Sequence, residues 1–259
     1  MKAGLKNKIV SLSMLGIALG IFVTLYLFNF KAINDALVLN FSSKKTVEQL
    51  FEGLLNTALV TVASFALGLL LGMITCLVEK IDNDSWWMMA IKNIFKIYVS
   101  VFRGTPMVIQ LLIIYFVVFM DFTGSALLIA ILSFGLNSGA YVSEIFRGGI
   151  NAVPKGQMEA SRSLGLSYSS SMFHVILPQA FRNAFPSLAN EFITLFKETS
   201  IVGFIGAVDL SLAFRKLANA TFDYNTVYIV MGIVYFLLVY LFTLLFKLIE
   251  KGLSKHART

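Results

Sequence analysis

Long stretches without a charged residue are the feature that most constrains how this sequence can fold. Charged residues make up 14% of its 259 residues and fall into short groups, whereas a water-soluble domain carries charges along every exposed face. Hydrophobic residues make up 58% of the chain, and the mean hydropathy is +0.81. The sequence therefore predicts an all-α membrane protein and excludes a soluble domain, a disordered chain and a fibrous repeat.

Five uncharged runs are long enough to form membrane-spanning helices. They are residues 9–30, 53–78, 104–120, 122–143 and 224–246. A sixth apolar run, about 184–208, is interrupted by Glu191, Lys197 and Glu198, and we expect it to cross the membrane with these charges facing a polar interior. The first run is long for the apolar core of a signal peptide, so we expect a helix there too. The sequence thus predicts about six spans.

The distribution of basic residues predicts the orientation of these spans. With the N-terminus in the cytoplasm, fifteen of the 21 lysines and arginines fall on the cytoplasmic side, five fall outside, and Lys197 lies within the membrane. Because cytoplasmic loops of membrane proteins are enriched in Lys and Arg, we expect both termini to be cytoplasmic. This topology also accounts for the net charge of +7, so nucleic acid is not an expected partner.

The sequence has few residues of the types that commonly act in catalysis or bind metals. The only cysteine, Cys76, lies within an apolar run, and His174 and His256 have no partners at metal-ligand spacing. We find no Ser/His/Asp or Cys/His set on one side of the membrane and no phosphate-binding G-x-x-x-x-G-K-[ST] loop. The sequence therefore predicts a protein that is not an enzyme, binds no metal or cofactor and hydrolyses no nucleotide itself.

Glycines recur four residues apart in three of the apolar runs. The pairs are Gly16 with Gly20, Gly68 with Gly72, and Gly135 with Gly139. Such a pair allows two helix backbones to approach closely. Because the chain has 18 glycines, some pairs also arise by chance, and both interpretations stay open for each pair.

A polar loop of about 35 residues, at 147–182, separates the fourth and fifth spans. Loops of this length are usually functional or disordered. Residues 157–164 are good helix formers followed by a stop at Gly165. The serines within 167–171 can cap a second short helix that ends at Pro178. We therefore expect two short helices at an angle on the cytoplasmic face.

The spacing of certain residues in this loop is distinctive. Glu159-Ala160-Ser161 is followed after three residues by Gly165, and after nine more by Val175-Ile176-Leu177-Pro178. This pattern resembles the EAA loop of bacterial ABC-importer permeases, which reads Glu-Ala-Ala, three residues, Gly, nine residues, Ile, any residue, Leu-Pro. Ser161 and Val175 are the two departures, and both are small changes.

Further motifs, in the same order, resemble the polar amino acid branch of that family. They are residues 98–115, which contain Phe102-Arg103-Gly104-Thr105-Pro106 and Gln110; residues 137–150; Leu177-Pro178-Gln179-Ala180; and Lys197-Glu198-Thr199-Ser200. The resemblance covers roughly residues 50–250. It implies that residues 1–50 form an additional N-terminal transmembrane helix and outer loop, and that 51–259 form the ABC importer transmembrane domain around a five-helix core.

The resemblance implies a permease subunit of a polar amino acid ABC importer in a bacterial cytoplasmic membrane. Its expected partners are membrane lipid, a second permease (the same chain or a homologue), ABC ATP-binding subunits that use ATP and Mg, and an extracytoplasmic solute-binding protein. Glutamine, glutamate or aspartate is the first substrate expectation, with basic amino acids or cystine next. Contact with the ATPase is expected at Gln157, Glu159, Ala160, Ser161, Gly165, Val175, Leu177 and Pro178.

Placing a polar side chain within a membrane span costs free energy unless that side chain contacts a solute or another polar group. The candidates for a substrate pathway are Gln110, Asn137, Glu144, Glu191 and Lys197, which supply donors for a carboxylate and acceptors for an ammonium group. Interhelical hydrogen bonds, or an ion pair of Lys197 with a nearby glutamate, are equally consistent with these positions. Two other functions stay open: an ATP-independent secondary transporter or channel, and a non-transporting subunit that recruits an ATPase.

Overall fold

The computed structural model describes residues 41–81 and 85–255, with six isolated positions between residues 16 and 38, and within that part of the chain the fold is all-helical, as predicted. The predicted span at 9–30 and His256 lie outside the described residues, apart from those isolated positions. The helices are α1 (Lys44–Lys80), α2 (Trp86–Gly104), α3 (Met107–Ile113) with a π-helical extension (Ile114–Val118), α4 (Ala126–Asn151), α5 (Lys155–Ser163), α6 (Tyr168–Ser171) with a π-helical turn (Met172–Ile176), α7 (Leu177–Glu198) with a 3-10 turn (Thr199–Ile205), α8 (Leu210–Thr221) and α9 (Tyr224–Lys255).

Three of the described helices, α1, α4 and α9, are long and apolar enough to cross a membrane. Helices α2 and α3 meet this condition only as a pair, which is bent by 114°. Helix α7, which contains most of the predicted span at 184–208, does not qualify on composition within the described part of the chain. Of the three charges that interrupt it, Lys197 is exposed, whereas Glu191 and Glu198 are partly buried.

The predicted span at 104–120 requires a correction. The helical segment begins earlier, at Trp86, and breaks at Thr105 and Pro106 between α2 and α3. Thr105 is extended, with φ −127° and ψ 150°, because the ring of a following proline disfavours the helical conformation and proline has no N–H to continue the ladder. The uncharged run alone therefore did not mark the ends of this element.

Glycines bring α1 and α4 into close contact. A Cβ atom at Gly72 would lie 2.5 Å from Val142 Cγ1, and one at Gly135 would lie 2.5 Å from Leu67 Cδ2. Gly68 and Gly139 are packed in the same way, against Ser138 and against Leu71 with Tyr98. Two of the three predicted glycine pairs are thus helix-packing faces, whereas Gly16 and Gly20 are isolated described positions.

Helix α7 is held against both α4 and α9. A Cβ atom at Gly149 of α4 would lie 2.6 Å from the Ala180 carbonyl oxygen, so glycine is required where these backbones cross. Farther along α7, Phe192 and Phe196 pack edge-to-face on Phe242 of α9, with centroids 5.4 and 5.1 Å apart. The sides of α7 that contact α4 and α9 are therefore buried, and exposed polar residues lie along the remaining side.

The predicted second short helix of the loop also requires a correction, because it does not end at Pro178. From Tyr168 to Glu198 the backbone is continuously helical. In the π-helical turn the Leu177 N–H donates to the Met172 carbonyl, and Pro178 then falls in the first turn of α7. A missing N–H is tolerated in a first turn, so the helix continues instead of stopping.

Candidate functional site

Helix α5 and the turn after it form a defined structure at the start of the polar loop. Gly165 has a φ of +87°, which favours glycine because a Cβ atom is disfavoured in this left-handed region. The Leu166 N–H donates to the Ser161 carbonyl at 3.2 Å, and the Gly165 N–H donates to that of Arg162 at 3.0 Å. These two bonds form a Schellman motif. The predicted helix stop at Gly165 is confirmed.

The second helix of the loop begins at a serine cap, as predicted. Ser167 accepts a hydrogen bond from the Ser170 N–H through its hydroxyl oxygen at 3.2 Å. The cap satisfies a backbone donor at the start of α6 that has no partner within the helix. Together, Gly165 and Ser167 fix the change of direction between α5 and α6.

The expected ATPase contacts fall into two groups in the structure. Exposed positions, which are available to a partner, are Gln157, Glu159, Ala160, Gly165 and Pro178. Those packed wholly or partly against the rest of this chain are Ser161, Val175 and Leu177. The first group is suited to direct contact, whereas the second supports the shape of the loop.

The small side chain of Ser161 has a role within the chain. It is buried, and its hydroxyl donates to the Met158 carbonyl at 2.9 Å. Sequence reasoning placed Ser161 at the partner's surface and overlooked Leu164, whose side chain is 84% exposed at the end of α5. Exposed leucines are common, but this one adjoins the Gly165 turn. Leu164 is therefore added to the exposed positions of the loop that are available to a partner.

Gln110 and Asn137 are brought together at the break between α2 and α3. Gln110 Nε2 lies 2.8 Å from the Phe102 carbonyl oxygen and 3.0 Å from that of Thr105. Asn137 Nδ2 donates to Gln110 Oε1 at 2.9 Å. Non-helical backbone inside a membrane protein needs such partners. Both side chains are buried, and they serve as the interhelical hydrogen bonds that the sequence left open.

Glu144 lies in an ion-pair cluster between α2 and α4. Its Oε2 is 3.4 Å from Arg103 Nη1 and also pairs with Arg147, three residues along α4. The Arg103 guanidinium lies 5.5 Å from the centre of the Tyr141 ring, a cation–π contact that orients its plane. Arg103, Tyr141 and Glu144 line a cavity, whereas Arg147 lies outside its lining.

That cavity has a volume of about 440 Å³ and lies between the C-terminal end of α2, α4 and α7. Its polar lining comes from Arg103, Tyr141, Glu144, Asn183 and Ser187. Gly148 and Gly149 of α4 and Ala152, which follows that helix, also line it. Its size is within the range of small-molecule sites, about 300–1,000 Å³. We name it the α4–α7 cavity.

A line of exposed polar residues runs along α7 from the α4–α7 cavity. Its members are Asn183, Ser187, Asn190, Thr194 and Lys197. Their spacing of four and three residues places them on one face of a helix. The sequence analysis selected only Lys197 of this set, although the spacing was present in the sequence. We name this line the polar face of α7.

Glu191 and Lys197 occupy different surroundings from each other. Glu191 is directed to α4, where its Oε1 accepts a hydrogen bond from the Ser138 hydroxyl at 2.9 Å. Within the described ranges the ion pairs shorter than 4.0 Å involve Lys44 with Glu48 and Glu144 with its two arginines. Lys197 therefore forms no close ion pair there, contrary to the interpretation that it ties helices together.

The structure thus separates the five predicted pathway residues. Gln110 and Asn137 support a broken helix, Glu191 pairs with Ser138, Glu144 borders the cavity, and Lys197 lies on an exposed face. Helices long enough to span a membrane, together with a polar helix face beside a cavity, are typical of a membrane transport subunit.

Residues 87–255 match the family model described as "binding-protein-dependent transport system inner membrane component". The chain belongs to this family, the permease subunits of ABC importers, and is accordingly a transport component and not an enzyme. Permeases of ABC importers pair with an ATP-binding subunit and a binding protein. The ends of the match include α2 and α9, so the family unit contains the cavity, the polar face of α7 and the loop.

Two relatives illustrate the resemblance in sequence. The arginine transport system permease protein ArtQ of Bacillus subtilis (strain 168) is 38% identical over 225 residues, which are 84% of this chain and 100% of ArtQ. The putative glutamine transport system permease protein GlnP of Rickettsia bellii (strain RML369-C) is 40% identical over 78% of this chain and 91% of its own length.

Solved structures show the same fold. The crystal structure of an amino acid ABC transporter with histidines has a chain with a TM-score of 0.74 and 36% identity, covering 82% of this chain and 97% of that one. An inward-facing MetNI methionine ABC transporter gives a TM-score of 0.68 at 20% identity, with 82% of this chain and 99% of that chain covered. The comparison with the MetNI transporter shows similarity of fold only.

Proposed function

We propose that this chain is the permease subunit of an ATP-driven importer of polar amino acids in a bacterial cytoplasmic membrane, with both termini in the cytoplasm. The observation that carries the proposal is the exposed loop in which α5 turns at Gly165 with the spacing of the EAA motif. Relatives named for arginine, glutamine and cystine transport support amino acids as the substrate class.

The proposed complex contains a second permease, either the same chain or a homologue, and a solute-binding protein on the outer side. The polar face of α7 supports the need for a second permease, because exposed polar side chains within a membrane must face another protein or water. ATP with Mg would be bound and hydrolysed by separate ATP-binding subunits. The loop around Glu159 and Leu164 is the proposed contact with them.

Continuity between the loop and α7 suggests how movement would be transmitted. The helix from Tyr168 runs without a break into the polar face of α7. When ATP binding brings the two ATP-binding subunits together, displacement of the loop would therefore tilt α7 as a rigid element. Such rigid-body movements of packed helices are a standard route for switching between inward-open and outward-open states.

Gly165→Ala tests this role of the loop. We expect a several-fold fall in transport-coupled ATP hydrolysis by the reconstituted complex, because a Cβ atom at φ +87° strains the turn by about 1–2 kcal/mol. Gly156→Ala is the matched control, since Gly156 lies in α5 with no positive φ and its added Cβ meets no atom within 4 Å.

Glu159→Gln tests the charged contact while preserving the size of the side chain. We expect weaker association with the ATP-binding subunit at low salt, and a smaller difference from the unmodified chain at high salt, because salt already screens the exposed ion pair that the variant lacks. Unchanged coupling and association in well-assembled Gly165→Ala and Glu159→Gln complexes would contradict the proposed docking role.

Uptake of labelled amino acids into vesicles tests the transport proposal itself. The expected result is accumulation that requires ATP, the ATP-binding subunit and the binding protein. Accumulation by this chain alone, driven by an ion gradient, would instead support an ATP-independent transporter.

A further inference from the structure

The ion-pair cluster at the α4–α7 cavity contains two guanidinium groups and one carboxylate, of which Arg103 and Glu144 line the cavity and Arg147 lies outside its lining. One carboxylate, from Glu144, faces two guanidinium groups, those of Arg103 and Arg147. Farther along the exposed polar face of α7, Lys197 adds a further positive charge, whereas the Glu191 carboxylate is directed to Ser138. A solute that passes along this surface therefore meets a field that repels cations.

Arg103 is placed to exchange partners. Its side chain is 42% exposed, and its 3.4 Å distance to Glu144 is long for a charge-assisted hydrogen bond. Arg147 also pairs with the Glu144 carboxylate, so that carboxylate keeps a counter-ion if Arg103 turns to another anion. Meanwhile, the Tyr141 ring supports the guanidinium plane. A planar guanidinium can bind a carboxylate through two parallel hydrogen bonds.

We propose that the α4–α7 cavity binds the transported amino acid and selects against net positive charge. The solute carboxylate binds Arg103, its ammonium group lies near Glu144, and its side chain faces Asn183 and Ser187. The ligand class is a polar amino acid with a neutral or acidic side chain, of the glutamine or glutamate type. This inference rests on the proposed transport function and deepens it.

The lining of α7 fits that class of side chain. Asn183 and Ser187 border the cavity on exposed positions of the helix, and both offer hydrogen-bond donors and acceptors without charge. An amide or a carboxylate can bond to either residue. A basic side chain would add a positive charge beside Arg103 and near Arg147, which already share the single carboxylate of Glu144.

Binding to the purified permease–ATPase complex, without the solute-binding protein, tests the inference directly. We would measure the binding of labelled glutamine, with unlabelled glutamine, glutamate and arginine as competitors. The expected result is that glutamine and glutamate compete well and arginine competes weakly. Preferential competition by arginine would overturn the proposed selectivity.

Asn183→Asp tests the selectivity without altering the ion pairs. If those pairs were only structural, this variant would not change the preference between glutamine and arginine. The added carboxylate should shift the preference toward arginine by about tenfold, as expected for one charge at a partly buried site. Asn190→Asp is the matched control, because Asn190 lies on the same polar face but outside the cavity lining, and its shift should be much smaller. Equal shifts in the two variants would place the selective site elsewhere.

Arg103→Met and Arg103→Lys test the proposed carboxylate ligand. We expect Arg103→Met to raise the KM for uptake with a smaller change in kcat, and Arg103→Lys to restore part of the affinity. A KM unchanged in a well-folded Arg103→Met complex would overturn the assignment. If vesicles show ATP-dependent uptake but these variants leave KM and selectivity unchanged, the inference alone fails; without any ATP-dependent uptake, the transport proposal fails.

Discussion

At the scale of single residues, the absence of a side chain determines how closely the central helices approach. Gly68 and Gly72 of α1 contact Ser138 and Val142 of α4 at distances that leave no room for a Cβ atom. In a bilayer the hydrophobic effect does not drive two helices together, so close van der Waals packing takes a larger share of the stabilisation. These glycines are therefore expected to be sensitive positions.

Gly72→Ala should destabilise the protein by about 1–3 kcal/mol, because the added methyl group would overlap Val142 Cγ1, 2.5 Å away. Gly232→Ala in α9 is the control. Its added Cβ meets no atom within 4 Å, and alanine is the better helix former, so that variant should be neutral or slightly more stable. Thermal unfolding in detergent measures both, and equal midpoints would contradict the packing argument.

At the scale of elements, the pair α2 and α3 shows how a helix can break inside a helical membrane protein. Pro106 ends the hydrogen-bond ladder and leaves the Phe102 and Thr105 carbonyls without helical partners. Gln110 contacts both carbonyls, and Asn137 contacts the first at 3.2 Å while holding Gln110 in place. One amide pair thus stabilises the break and attaches it to α4.

Gln110→Leu and Asn137→Leu should each destabilise the fold by about 1–3 kcal/mol, because each leaves buried polar groups unpaired. Their effects should not add, since the two amides form one network. A double-mutant cycle from thermal or chemical unfolding measures the coupling. Strict additivity, or a loss of substrate binding with unchanged stability, would instead favour a direct role in the pathway.

At the scale of the whole molecule, the surface of α9 indicates how the protein sits in a bilayer. Within the described fold, no residue in the most apolar 18-residue stretch of this helix is buried. A large apolar surface of this kind marks contact with lipid or with another subunit. Leu241 lies near its middle and Leu248 nearer its C-terminal end, with exposures of 60% and 67%.

Leu241→Lys should lower the yield of folded, membrane-inserted protein, because a lysine at the centre of a spanning helix costs about 2.5–3.5 kcal/mol. Leu248→Lys is matched in exposure but lies where a lysine side chain can reach the interface, so its effect should be smaller. Size-exclusion profiles of the membrane-extracted protein measure both. Equal yields would show that the middle of α9 does not contact the hydrocarbon core.

The sequence by itself determined the features that depend on near neighbours along the chain. Apolar runs predicted α1, α4 and α9, and helix formers followed by a glycine predicted α5 and its turn, since hydropathy and a left-handed Gly165 are local properties. The spacing of the polar face of α7 was also local and could have been recognised. The end of α6 was missed because Pro178 permits a first helical turn as readily as a stop.

Only the tertiary structure decided what the polar residues contact. Asn137 meets Gln110 across 27 residues of sequence, and Ser138 meets Glu191 across 53, so no local pattern could distinguish a hydrogen bond between helices from a solute contact. The cavity beside Glu144 likewise depends on how α4 and α7 cross at Gly149. Hydropathy specifies which segments are helical and apolar, but the packing of their backbones determines which polar atoms remain available to a solute.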